Sequence, residues 1–318
     1  MPNGSKCRYT ELQMAACVCK GIRSCLICEA TRQPSHEASV PTSLELNMCY
    51  KCGAVFRYSP APPPQPLQAC SPPCTADDDD IKVLQPGTTD EGLRDAVSDF
   101  RGVVVVKEFV SAEEELCMVA DIDQQRWADS QSGRRKQDYG PKVNFKRKKV
   151  KLGSFNGLPS FSKLLLDRML STIPQLDSFK PVELCNLEYT PHRGSAIDPH
   201  SDDNWLWGER LVTLNLLAST LLTFSTPSHP THSHIPPPSQ YVELHVPLPR
   251  RSLLIVSGPA RHTWHHSIKR ENIASRRIAV TLRELTPEFL SGGRSYDSVG
   301  HGLLEIAQRF DGQPINFA

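Results

Sequence analysis

The chain has 318 residues, enough for one large domain with appendages or for two domains. Its 36 Lys and Arg against 35 Asp and Glu leave a net charge of +1, so no global field points to nucleic acid or to a membrane surface. The longest apolar stretch, LVTLNLLASTLLTF, is too short and interrupted to cross a bilayer, and the opening MPNGSKCRYTELQ lacks the apolar centre of a secretory signal, which predicts a soluble intracellular protein.

Nine of the eleven cysteines fall before residue 75. In an intracellular chain, metal binding or free thiols are the expected uses rather than disulfides. CVCKGIRSCLIC places Cys17, Cys19, Cys25 and Cys28 as C-x-C-x5-C-x2-C, four thiolates able to close a tetrahedral zinc site. Cys49 and Cys52 add a second C-x2-C that can replace one half. This defines a Cys-rich segment over residues 1–58, with free thiols as the alternative reading. Residues 59–98 contain SPAPPPQPLQACSPPCTADDDD, the proline density and charge run of a disordered linker.

A folded domain is expected over 99–318. GVVVVKEF suits a buried strand. SAEEELCMVADIDQQRW opens on a capping box, Ser111 with Glu114, and then repeats Leu116, Val119, Ala120 and Trp127 at helical spacing. The segment GRRKQDYGPKVNFKRKKVK carries nine Lys or Arg and one acid, with Tyr139 and Phe145 between them. Basic side chains interleaved with aromatics can grip a phosphate backbone and stack a base; a solvated loop, or a patch for an acidic protein, is the alternative. FSKLLLDRMLSTI predicts a second helix, stopped by Pro174.

Six short runs follow: PVELCNLEY, ERLVTLNLL, YVELHVPL, SLLIVSG, HTWHHSI and RRIAVTLREL. They leave no room for helical crossovers, so the strands are antiparallel. The expected fold is mainly β with some helix (α+β), a jelly roll with helices packed on one side. A surface insertion is expected at 219–240, where STPSHPTHSHIPPPS sets three histidines among prolines.

His200 and Asp202 stand two apart in IDPHSDD, so on an extended segment they point to one side. Alone, the pair is equally a turn aspartate beside a solvated histidine. SGPARHTWHHSI adds His262, His265 and His266, and strand alternation groups His262, Trp264 and His266. Two histidines and one carboxylate leave cis positions open, as in non-heme Fe(II) oxygenases. On RRIAVTLRE, alternation puts Ile278, Val280 and Leu282 on one face and Arg277, Ala279, Thr281 and Arg283 on the other. Arginines on a central strand are costly to bury without an anion, either a carboxylate ligand or a core glutamate such as Glu183 or Glu188.

The ordered set His-x-Asp, Trp-x-His, Arg-x5-Arg resembles the AlkB-like family of Fe(II)- and 2-oxoglutarate-dependent dioxygenases over roughly residues 100–310. The resemblance implies a double-stranded β-helix with His200, Asp202 and His266 as iron ligands. It implies Arg277 at the distal carboxylate of 2-oxoglutarate, Arg283 near the keto-acid end or the substrate, and Tyr189 as a further co-substrate contact. Many members carry Asn-x-Tyr, whereas here Leu187 stands at the asparagine position. The family's lid over the substrate falls on the basic segment, which implicates Arg134, Arg135, Lys136 and Tyr139. The implied reaction consumes 2-oxoglutarate and O2, releases succinate, and converts an N-methyl group to formaldehyde. SQSGRRKQDYGPKVNF and CKGIRSCLICE resemble a branch associated with methyl-lysine on actin or actomyosin and with N6-methyladenine in DNA, in cytoplasm and nucleus. A non-catalytic zinc and nucleic-acid adaptor and a metal-dependent hydrolase are the rival readings.

Overall fold

Short apolar runs broken by Pro and Gly turns produce a mostly β architecture. The computed structural model describes residues 25–26, 44–48, 55–57, 100–226 and 242–315. Two main sheets form. One is ordered β2 (Val55–Arg57), β1 (Leu44–Met48), β12 (Val242–Leu248), β11 (Thr220–Ser225), β14 (His265–Ile268), β9 (Ile197–His200). The other runs β3 (Val103–Val106), β13 (Ser252–Val256), β10 (Trp207–Leu216), β15 (Arg277–Leu285), β8 (Pro181–Tyr189), β5 (Arg135–Tyr139), β4 (Ala128–Asp129). A hairpin of β6 (Lys142–Asn144) and β7 (Lys149–Lys151) stands apart from both.

Strand alternation divides the core in two. Ile278, Val280 and Leu282 of β15 join one apolar cluster with α1 (Ala112–Gln124), α2 (Phe161–Thr172) and α4 (His301–Ala307). Ala279 joins a second, which draws Leu46, Phe224, Val242 and Leu244 from one sheet and Tyr189, Leu211 and Leu254 from the other. The helices therefore cover one face of the seven-stranded sheet, and the two sheets face each other across the second cluster. Arg277, Thr281 and Arg283 share that inner face.

The capping box at Ser111 and Glu114 forms, with both reciprocal hydrogen bonds made. The helix turns a different face inward from the one its apolar spacing suggests. Glu115, Met118 and Ile122 are buried, and Leu116 is 65% exposed. Glu115 overrides the pattern because its carboxylate has internal work. It accepts 2.7 Å bonds from the backbone N–H of Leu217, a residue held at φ 71°, and from Arg250 Nε. Glu115→Ala strands both donors and is expected to lower unfolding stability by about 2–4 kcal/mol, measurable by urea denaturation.

Two expected boundaries shift. Residues 220–225, inside the span set as an insertion, form β11 between β12 and β14, with Leu222 and Phe224 packed inward at period two. Residues 227–241 lie outside the described residues. The Cys-rich segment does not stand wholly apart: β1 pairs in parallel with β12, and Leu46 and Met48 enter the core between the sheets. The linker expected at 59–98 lies outside the described residues, as do Cys17, Cys19 and Cys28; Cys25 is buried.

Candidate active site

Strands β9 and β14 build the metal-binding set. Their antiparallel register places His266 opposite His200, with ring centroids 4.3 Å apart. Asp202 follows two residues after His200, and ligand atoms of the three side chains lie within 4.8 Å of one another. His200 Nδ1 sits 2.8 Å from the carbonyl of Asp198, an arrangement that leaves Nε2 for a metal. Burial lowers the pKa of His200, and burial followed by the charge of a protonated His200 takes His266 down to about 3. Both rings thus stay neutral near pH 7, as ligation requires. Burial alone would raise Asp202, but Arg283 beside it, with His266 and His200, holds it well below the usual carboxylate range.

Two arginines brace Asp202, one at its carboxylate and one at its backbone. Arg283 reaches the Asp202 oxygens at 3.2 and 3.3 Å and Glu183 at 2.6 Å. Arg261, 1% exposed, donates to the backbone carbonyls of Asp202 at 3.0 Å and Trp207 at 3.3 Å. Arg283 is therefore tied to the ligand carboxylate and to Glu183, at the metal end of the space between the sheets. Arg261 was not singled out in the sequence; its only signal is a cation next to the turn that precedes β14.

The expected strand over HTWHHSI begins late. Residues Gly258–His262 form a short helix, α3, and β14 starts at His265. His262 consequently leaves the inner face and pairs with Glu209 at 2.8 Å. His266→Ala is expected to remove metal binding, while His262→Ala and His265→Ala keep it. Metal stoichiometry across the three purified variants checks this, and full loading of the His266 variant would refute the register.

Arg277 occupies the other end of the inner face. It is 2% exposed, lies opposite Tyr189 in register, and its guanidinium carbon is 4.9 Å from that ring's centroid. Nε donates to Asn215 Oδ1 at 2.6 Å, and Nη1 has no partner among the described residues. The glutamates that might have neutralised it are engaged elsewhere: Glu183 with Arg283, Glu188 with Arg135 and Arg276. A buried guanidinium with an unsatisfied N–H is a socket for an anionic acceptor. Asn215, also missed in the sequence, orients it. On β8, Leu187 packs beside the intersheet core and Asn186 donates to Gln137 at 2.9 Å, so among these Tyr189 alone faces the arginine.

The residues expected to meet substrate separate. Arg134 is buried beside the site, its guanidinium carbon 5.9 Å from the Tyr189 ring centroid. Arg135 pairs with Glu188 and lies over Trp127; Lys136 pairs with Asp138 at 2.5 Å. Tyr139 is 1% exposed inside the helix-side core, so it cannot stack on a base, and burial raises its hydroxyl pKa. Its apolar ring fills the sheet–helix layer, which a reading of charge interleaving does not register. The remaining cations of the run, Lys142, Lys146, Arg147, Lys148, Lys149 and Lys151, are exposed on and around the β6–β7 hairpin.

The donor set suits a metal that needs open positions. Among the described residues, His200, Asp202 and His266 are the one group of three or more such side chains placed to share an ion. A closed structural zinc site takes four protein ligands, whereas this set leaves positions free beside an anion socket.

No family model matches the chain. It is 43% identical to the human alpha-ketoglutarate-dependent dioxygenase alkB homolog 4, an alignment spanning 94% of this chain and 95% of that protein. The mouse protein of the same name is 42% identical over 94% and 96%. A Caenorhabditis elegans DNA N6-methyl adenine demethylase is 36% identical over 92% of this chain and 94% of its own length. With those relatives matched almost end to end around a His-Asp-His set and a buried arginine, the chain belongs to the AlkB-like family of Fe(II)- and 2-oxoglutarate-dependent dioxygenases.

Proposed function

We propose that this dioxygenase is an oxidative N-demethylase in which His200, Asp202 and His266 hold Fe(II) and Arg277, with Tyr189, receives the distal carboxylate of 2-oxoglutarate. The observation that carries the reading is the unsatisfied Nη1 of buried Arg277, on the inner face of the sheet opposite the one that holds His200 and His266. Iron, 2-oxoglutarate and O2 together supply the oxidant. The protein's part is orientation and exclusion of water. Arg283 and Arg261 fix the Asp202 carboxylate and backbone, Asn215 and Tyr189 fix the guanidinium, and the facing sheets, read as a double-stranded β-helix, shield the space between. A hydrolase or an adaptor has no need of the buried Arg277 socket.

Oxidation of an N-methyl carbon gives a hydroxymethyl group that collapses to formaldehyde, with succinate as co-product. The substrates we propose are methyl-lysine on a protein such as actin and N6-methyladenine in DNA; the name of the worm relative, a DNA N6-methyl adenine demethylase, supports the second. The exposed cations around β6–β7 suit either an acidic protein surface or a phosphate backbone. Formaldehyde release from N-methylated actin and from N6-methyladenine DNA tests the proposal. Formaldehyde from at least one is expected; release from neither, with the co-substrate still consumed, would refute demethylation.

The spacing of Cys17, Cys19, Cys25 and Cys28 supports a zinc site separate from the iron. Reduced protein is then expected to keep one zinc after iron is stripped, and to lose it when Cys25 and Cys28 are replaced by serine. Metal analysis that finds no zinc in the reduced protein would dismiss the site.

A further inference from the structure

Strand register sorts the inner face of the seven-stranded sheet into rows. Glu183 lies opposite Arg283 at the metal end, and Tyr189 opposite Arg277 at the other. Between them, Asp138, Cys185, Thr281 and Thr213 stand in one line across β5, β8, β15 and β10. Lys136, Leu187, Ala279 and Asn215 form the next. A co-substrate running from the metal to Arg277 occupies the β15 side of these rows, over Thr281 and Ala279. The β5 side, roughly 10 Å away across two strand spacings, is left for the group that is oxidised.

Alternation along β5 decides which side chains face that space. Gln137 donates to the carbonyls of Ile122 and Gln125 at the end of α1, and Tyr139 enters the helix-side core, so Lys136 and Asp138 turn inward. The chain entering β9 runs along this edge. Ala196 N–H donates to the Ser132 carbonyl at 3.0 Å, and Ser195 Oγ to that of Gly133 at 2.7 Å. The strand that carries His200 thus begins beside the turn into β5. Side-chain exposure is 12% at Asp202, 16% at Asp138 and 32% at Lys136, so the inner face opens toward solvent along β5.

Asp138 is the acid that β5 presents there. Asp202 and Glu183 are committed to Arg283. Asp138 instead accepts from the Cys185 thiol at 3.2 Å and from the Lys136 ammonium at 2.5 Å. Burial raises the thiol pKa, which keeps it protonated as a donor. Lys136 is a flexible, part-exposed cation, and its release to water costs little. A carboxylate that already holds one ammonium is fitted to hold another. On this stretch β5 and β8 offer no ring to stack a base, since Tyr139 faces the helices and Tyr189 stands at the Arg277 end.

We infer that Asp138 determines specificity: it accepts the N–H of a protonated N-methylamine in the place that Lys136 now fills, and so favours methyl-lysine over the neutral N6-methyladenine. This rests on the demethylase reading above and assigns the residue that selects between its two substrates.

Binding without turnover tests it. The full chain, wild type and variants, is loaded with Mn(II) and 2-oxoglutarate under anaerobic conditions. It is then titrated by calorimetry with a peptide carrying one N-methyl-lysine and with a single-stranded oligonucleotide carrying one N6-methyladenine. Asp138→Asn keeps the shape and removes the charge. It is expected to weaken the peptide about ten- to a hundredfold, the loss of a charge-assisted hydrogen bond, and to leave the oligonucleotide unchanged. Lys136→Met frees the carboxylate and should tighten the peptide alone; it carries the test if the Asp138 variant fails to fold or to hold Mn(II). Unchanged peptide affinity in the Asp138 variant, or an equal loss for peptide and oligonucleotide, overturns the inference. So does a Lys136 variant that binds the peptide no more tightly, or a wild type that binds only the oligonucleotide. If wild type holds metal and 2-oxoglutarate but binds neither methylated probe, the demethylase reading itself falls, an outcome distinct from failure at Asp138.

Discussion

Asp202→Ala is expected to abolish metal loading and, with it, succinate formation. The variant leaves two imidazoles and no carboxylate, and no described neighbour can substitute. Asp203 is exposed, and its backbone carbonyl caps the turn into β10 by accepting from Trp207 N–H at 3.1 Å. The substitution also removes one of the two acids on Arg283. Because Glu183 still holds that guanidinium at 2.6 Å, the metal-free variant should fold, at a loss of about 1–3 kcal/mol. Metal content measured alongside urea denaturation separates the two effects. A folded variant with full iron and wild-type turnover would show that the carboxylate ligand lies elsewhere.

Arg277→Met should raise the 2-oxoglutarate concentration needed for half-maximal turnover, with little effect on binding of the methylated substrate. The methionine keeps much of the stem's volume and deletes the fork. Truncating one partner of a buried, hydrogen-bonded charge pair costs on the order of 2–5 kcal/mol, which is roughly thirty- to several-thousandfold in affinity. The apo protein should lose less, because burial already disfavours the charged guanidinium there. Initial rates over a 2-oxoglutarate series check the shift. Unaltered dependence would mean that Asn215 and Tyr189 do not serve a carboxylate.

Much of the site was written in local patterns. His-x-Asp at a strand end and the alternation of RRIAVTLRE need only period-two geometry, and both the grouping of His200 with Asp202 and the split of Ile278 from Arg277 are seen. The six expected strands and the capping box at Ser111 are likewise local. What escaped depends on distant partners. Glu115 is inward because Leu217 and Arg250, a hundred or more positions away, need its oxygens. Tyr139 is core because α1 and α2 cover its strand, while the residues around it are cationic. His262 left the inner face when a helical turn after Ser257 replaced the start of the expected strand. The strand at 220–225 was hidden by the proline-rich run that follows it, although TLLTF has a strand's alternation. Arg134 was expected at the substrate through its neighbours' charge; its place beside Tyr189 comes from the grip of 193–196 on the turn before it.

The most direct measurement is succinate formed from labelled 2-oxoglutarate by the purified full-length chain under air, with Fe(II) added or withheld. The account predicts iron-dependent succinate in wild type, and none above background in the Asp202→Ala and His266→Ala variants. Succinate at equal rates with and without iron, or in either variant at the wild-type rate, would contradict it.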